Sequence, residues 1–177
     1  MYVNPLPHVS NPRMTQGELS QILADHALWL DNDPAGVQAD LVDANLTGID
    51  LPYANLSGAN LFDINLSGAN LCRANLRRAN LIGANLTNVY LPHTNLTNAN
   101  LTDADLAVAY LADADCTDAN LTNANLSYSN LAGAKFGFNI IDAKTIYYAT
   151  FSKDALMWLI LRRDWAEVKN DVKIVNS

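Results

Sequence analysis

Little in this sequence suits chemistry. Its 177 residues hold two cysteines and three histidines. Cys116 belongs to an inward column of a repeat and Cys72 to an outward one, so no disulfide is expected, and both suit a reducing cytoplasm. Bases are scarce: 11 Lys and Arg stand against 18 Asp and Glu, for a net charge of −7. A direct nucleic-acid binder shows a basic stripe, and Arg73, Arg77 and Arg78 are too few to make one. No apolar run approaches the roughly 18 residues of a membrane-spanning helix. Residues 1–11 lack a basic start and an apolar segment, so no signal peptide is expected. Glycine forms no phosphate-cradling loop, and neither His nor Cys has metal-ligand spacing. His8, His26 and His93 lie far apart in the chain. These absences predict a non-enzyme that takes no cofactor and no metal and acts in the cytoplasm.

What the sequence has is a period. From Leu41 to Phe151 every fifth residue is a large apolar one or cysteine, 23 centres without a slip, 18 of them Leu. Two residues before each centre, from Ala39 to Ala134, 15 of 20 positions are Ala. Immediately before each centre, from Asp40 to Lys135, 17 of 20 are Asn or Asp, with Tyr90, Tyr110 and Lys135 as exceptions. The two residues after each centre vary. A period of five matches neither a helix nor a strand. It requires a chain that turns once per repeat, with Ala and Leu inward and the variable pair outward. Asn and Asp, whose side chains bond nearby backbone, are expected at the corners. Turns of fixed length wind into a stacked solenoid.

Ala54-Asn55-Leu56-Ser57-Gly58 and Ala69-Asn70-Leu71-Cys72-Arg73 carry a resemblance to the pentapeptide-repeat family, whose consensus is Ala, Asp or Asn, Leu and two variable residues. The resemblance implies an all-β solenoid, a right-handed quadrilateral β-helix with four repeats per coil and five to six coils here. Coils of twenty residues stack Leu41, Leu61, Leu81, Leu101, Leu121 and Ile141, and on the fourth side Leu56, Leu76, Leu96, Cys116 and Phe136. At about 4.8 Å per coil the rod is about 27 Å long.

Three segments follow. Residues 1–38 are an irregular lead-in and a capping helix. Thr15 as N-cap with Glu18 three residues on has capping-box form, and Leu19, Ile22, Leu23, His26, Ala27 and Leu30 share a helical face. His26 reads as a packed cap residue rather than a ligand. Residues 39–151 form the β-helix, with a distorted last coil over 139–151 where Asn139 and Lys144 enter the small-residue column. Residues 152–177 carry a second, apolar helix over Ala155 to Val168 and a polar tail in which Val172, Ile174 and Val175 suit a short strand.

Partner contacts are sought on the outer faces. Tyr90 and Tyr110 interrupt the Asn/Asp column one coil apart and are expected to stack in the open beside Pro92, as a contact site or as cross-strand support for the coil. Asp103, Asp105, Asp113, Asp115 and Asp118 fall within one coil, as a docking face for a basic partner or as solubilising charge. Tyr53, Arg73, His93 and Asp113 line another column and read as a mixed polar ladder. Phe136, Phe151, Leu156, Trp158, Leu159 and Trp165 are candidates for an end-cap or homodimer contact through the C-terminal helix.

The function expected is that of a rigid, non-catalytic interaction or scaffold module for a protein partner. The alternative is a DNA mimic, since some members of the family resemble duplex DNA and bind DNA gyrase or topoisomerase IV. Charge weighs against it: about 27 Å of duplex carries roughly 16 negative charges, whereas residues 40–151 hold ten acids against five bases.

Overall fold

The computed structural model describes residues 14–136, 149–152 and 172–175. It begins with helix α1, Gln16–Leu30. The Thr15 hydroxyl accepts the Glu18 N–H at 3.3 Å, and the Glu18 carboxylate accepts the Thr15 N–H at 2.9 Å, so both halves of the capping box form. The Thr15 hydroxyl also donates to that carboxylate at 2.6 Å, and this bond, with the smaller contribution of the Thr15 N–H, holds the Glu18 carboxyl below its usual range. The helix buries Leu19 and His26, half-buries Ile22, Leu23 and Leu30, and leaves Ala27 exposed. The face in contact is therefore narrower than the spacing predicts. Beyond the helix, Gly36 lies so close to the backbone of Leu28 and Trp29 that no Cβ could be accommodated there.

From Ala39 the chain winds in coils of twenty residues. Parallel bridges join Asp40 to Asn60, Asn45 to Asn65, Asp50 to Asn70 and Asn55 to Asn75, and continue by twenties to Tyr110 and Asn130. Each coil thus has four sides of one pentapeptide. On each side three main-chain bonds run to neighbouring coils. In the first side, Leu41 N–H donates to Asn60 at 2.8 Å, Asp43 to Phe62 at 2.9 Å, and Asn60 back to Ala39 at 2.9 Å. A fourth, Ala44 to Leu41 at 3.2 Å, closes the turn. The Leu column and almost the whole Ala column form one continuous buried core, to which Leu19 of α1 belongs. Two departures from Ala keep their hydroxyls satisfied: Thr94 donates to the Leu71 carbonyl at 2.8 Å, and Ser129 to that of Leu126 at 2.7 Å.

The corners differ from the expectation. The Asn and Asp of the uniform column do not form them; they are the bridge residues on the flat sides. The variable pair turns the chain, and its second member takes a left-handed conformation at every repeat from Asp43 to Gly133, at φ between 51° and 71°. The Asn and Asp side chains support the turn from the side. Oδ1 of Asn65 accepts the Ser67 N–H at 3.1 Å, and Oδ1 of Asn95 the Thr97 N–H at 3.0 Å. Their amides also bond along the column, Asn75 to Asn55 and Asn80 to Asn60, each at 3.0 Å. Aspartate, which has no donor, serves as acceptor in this ladder at Asp40, Asp50 and Asp105.

The later coils carry short strands. β1 (Asp115–Cys116) pairs with β3 (Lys135–Phe136), and β2 (Asn130–Leu131) with β4 (Ala149–Ser152), all parallel and twenty residues apart. Phe151 therefore keeps the register that the period assigns to it. β5 (Val172–Val175) adds in parallel to β4, with Ile174 opposite Phe151, a strand where the tail's Val and Ile suggest one. Residues 139–148 of the distorted coil expected over 139–151, and the helix expected over Ala155 to Val168 with Leu156, Trp158, Leu159 and Trp165, lie outside the described residues.

Candidate interaction surface

The side centred on Leu51, Leu71, Leu91, Leu111 and Leu131 is the candidate surface. Its bridge column runs Asp50, Asn70, Tyr90, Tyr110, Asn130. Where the tyrosines replace asparagine, ring stacking replaces the amide ladder: the centroids are 5.2 Å apart with planes inclined by 20°. Tyr90 and Tyr110 are 46% and 39% exposed, so the pair stands in the open, next to a buried Pro92.

The corners flanking this side enlarge it. One corner carries Val108 and Tyr128, 52% and 61% exposed. The other carries Tyr53, Arg73, His93 and Asp113, as the twenty-residue stacking predicts. The Arg73 guanidinium lies 5.7 Å from the Tyr53 ring centroid and donates to its hydroxyl at 3.2 Å, and His93 Nδ1 is 3.9 Å from the Asp113 carboxylate. Half of the large exposed apolar residues among those described, Tyr53, Tyr90, Val108, Tyr110 and Tyr128, therefore belong to one side and its two edges. Sequence reasoning passed over Val108 and Tyr128, although they stand two residues before Tyr110 and Asn130 and one coil apart.

The five aspartates share a coil but not a side. Asp103 lies at the corner after the first side, Asp113 after the third and Asp118 after the fourth, all exposed. Asp105 and Asp115 are half-buried bridge residues whose Oδ1 atoms each accept a turn N–H at 3.0 Å. They encircle the rod instead of converging. Phe136 is partly buried against the core, and Phe151 is placed by its main-chain pairing with Leu131.

No group of three His, Cys, Asp or Glu side chains suited to a metal ion occurs among the described residues. Burial, with a smaller contribution from Asp115, pushes the Cys116 thiol up to about 12, so it stays protonated at neutral pH. Cys72 is half-exposed, and the two are not joined. His26 is fully buried; its Nδ1 accepts the Ala39 N–H at 3.1 Å, and its ring stacks on Trp29 at 5.3 Å. Nε2 makes no hydrogen bond of standard geometry. Burial lowers its pKa, opposed in part by a weak interaction with the Ser57 backbone. The bond from Ala39 requires a bare Nδ1, so the ring is held neutral.

The pentapeptide-repeat family model matches in eight copies over residues 39–78, 64–103 and 99–137. No curated protein matches the sequence. Solved structures do. HetL, a pentapeptide repeat protein involved in heterocyst differentiation regulation in Nostoc sp. strain PCC 7120, is 33% identical over 64% of this chain and 60% of its own, with a TM-score of 0.31. The chain thus spans less than two thirds of that relative. Rfr23 of the cyanobacterium Cyanothece 51142 is 26% identical over 72% of this chain and 99% of its own, at a TM-score of 0.42. QnrB1, a plasmid-mediated fluoroquinolone resistance protein, is 16% identical over 72% and 71%, at 0.46. With the family model covering more than half of the sequence and the same five-residue register forming every side of the solenoid, this chain belongs to the pentapeptide-repeat family.

Proposed function

We propose that the protein is a non-catalytic interaction module, a right-handed, helix-capped rod that presents its tyrosine side to a protein partner. The observation that carries this reading is the stacked, exposed Tyr90–Tyr110 pair, set among Val108, Tyr128 and Tyr53 and bordered by the polar Asp50, Asn70, Arg73, His93, Asp113 and Asn130. Tyrosine supplies large, rigid contact area at low entropic cost, and aromatic residues concentrate at interface cores. The main chain beneath is fixed by bonds to the coils on either side, so little ordering is left to do on binding. The partner suited to such a surface has apolar side chains at its centre and polar groups at its rim.

The test is capture of partners from a lysate with the native protein and with Tyr90→Ser/Tyr110→Ser. A partner held by the native protein and released by the variant, with the melting temperature little changed, supports the reading; a partner held equally by both removes it. A gyrase supercoiling assay distinguishes the second reading. Inhibition lost on replacing Asp103, Asp105, Asp113, Asp115 and Asp118 by Asn would favour DNA mimicry instead. The spread of those residues around the rod gives that reading less support than the tyrosine face gives the first.

A further inference from the structure

Away from the tyrosine side, a cleft of about 310 Å³ opens where the C-terminal end of α1 meets the fourth side of the rod. Trp29, Leu30 and Asn32 line one wall, and Ser57, Gly58, Arg77 and Arg78 the other. The charge here is unlike that of the rest of the molecule. Between residues 14 and 134 the only Lys or Arg side chains are Arg73, Arg77 and Arg78, and two of the three line this cleft. Arg73 has the Tyr53 ring and hydroxyl for company. Arg77 and Arg78 have no carboxylate within ion-pair distance among the described residues.

The surroundings explain why. Their neighbours one coil away in the same columns are Ser57, Gly58, Thr97 and Asn98, none of them acidic. Asp33, close by in sequence, has its Oδ1 engaged by the Ala35 N–H at 2.8 Å. Near the end of α1 the Ala27, Leu28 and Trp29 carbonyls already accept the Asp31, Asn32 and Asp33 N–H groups. Two guanidinium groups are thus left with their donors directed to solvent, in a chain whose net charge is −7.

The floor is rigid. The Arg77 carbonyl accepts both the Gly58 N–H at 2.7 Å and the Ser57 hydroxyl at 3.1 Å, and Arg78 N–H donates to Thr97 at 3.0 Å. Opposite stands Trp29, 37% exposed, braced from behind by the His26 ring and passing over Gly58. Glycine suits that point through its left-handed backbone, φ 71°, whereas a Cβ there would meet the indole only at an ordinary contact of 3.5 Å. Guanidinium groups pair with carboxylate and phosphate through paired N–H donors, and an indole offers a flat apolar surface for stacking. The volume lies at the small end of the range for ligand sites.

We infer that this cleft is a binding site for a small organic anion, a phosphate or carboxylate group carried on a flat ring, with Arg77 and Arg78 holding the anion and Trp29 the ring. Adenosine monophosphate and benzoate share that chemistry; inorganic phosphate has only half of it.

Calorimetric titration of the full-length protein with each of the three probes tests the inference. Adenosine monophosphate or benzoate is expected to bind at least tenfold more tightly than inorganic phosphate, and which of the two is tighter tells a nucleotide from a carboxylate ligand. Arg77→Ala/Arg78→Asn should weaken binding at least tenfold without lowering the thermal midpoint, since asparagine at 78 accepts the left-handed backbone at least as readily as arginine. Ser57→Asp, which sets a carboxylate beside the arginines, should abolish binding in a chain that keeps both of them. Absence of binding by both ring-bearing probes at millimolar concentration would overturn the inference, as would affinity equal to that of inorganic phosphate or unchanged in either variant.

Discussion

The second turn residue carries the strain of this fold. Left-handed backbone costs an L-residue about 1–2 kcal/mol and costs glycine almost nothing, with asparagine and aspartate between. Most of these positions hold Gly, Asn or Asp, but Val108 sits at φ 60°. A β-branched side chain is the worst choice there, and Val108 is too exposed to recover the cost through burial. Val108→Asn should therefore stabilise the protein by about 1 kcal/mol, read as a higher urea midpoint; an unchanged or lower midpoint would contradict the strain argument. This residue-level pattern was only partly legible beforehand. The alternation of Gly, Asn and Asp two places after each Leu marks the turn. The uniform Asn/Asp column drew attention instead, because a residue that bonds a turn from the adjacent flat side has the same composition as one that forms it.

At the scale of the element, α1 holds the rod's first coil through a bond that a proton can break. Ala39 N–H donates to a bare Nδ1 of His26, and burial disfavours the imidazolium. The folded pKa lies below the unfolded value of about 6.5. The unfolded chain therefore takes up the proton first as pH falls. The stabilising contribution is complete above about pH 6.5 and declines below it until the folded pKa is passed. No charged group contributes to this shift. The thermal midpoint should fall between pH 7 and pH 5, with the Ala39 amide exchanging faster with solvent. His26→Leu should lower the midpoint at pH 7 by leaving that buried N–H without an acceptor, a cost of about 1–3 kcal/mol, and flatten this part of the pH dependence. A native profile that is already flat would place the helix's anchorage elsewhere. The helix itself was plain from Thr15 and Glu18, whose capping box is a local signal. Its partner was not, because contact between His26 and Ala39 depends on how the chain turns at Gly36, where nothing periodic guides the reading.

For the whole molecule, the interior and the surface are specified differently. Each side offers the core nearly the same Ala and Leu, so the core does not distinguish one side from the next. The outer columns do, because Tyr90 and Tyr110 meet only when twenty residues separate them. Removing residues 99–103, one whole repeat, should leave a solenoid that still folds and melts cooperatively, with each later repeat moved back by one side. Tyr90 and Tyr110 would then be fifteen residues apart and on different sides, and the near-ultraviolet dichroism of the stacked pair should vanish. Removing residues 111–130, a full coil beyond the pair, would keep every column aligned and the signal of Tyr90 against Tyr110 intact. If the five-residue deletion unfolds the protein, the sides are not interchangeable. The fold was readable because one rule is repeated throughout the rod. The tyrosine surface was readable only in part, since Val108 and Tyr128 occupy positions where the repeat allows anything.

The bonds between coils also give the molecule a mechanical character. On every side they run from one turn of the chain to the next, so a pull on the two ends loads them along their length, a few at a time, starting with the terminal coil. Such a rod behaves as a spool. It pays out chain one turn after another, each turn releasing twenty residues, about 70 Å of thread, while the turns not yet reached stay wound.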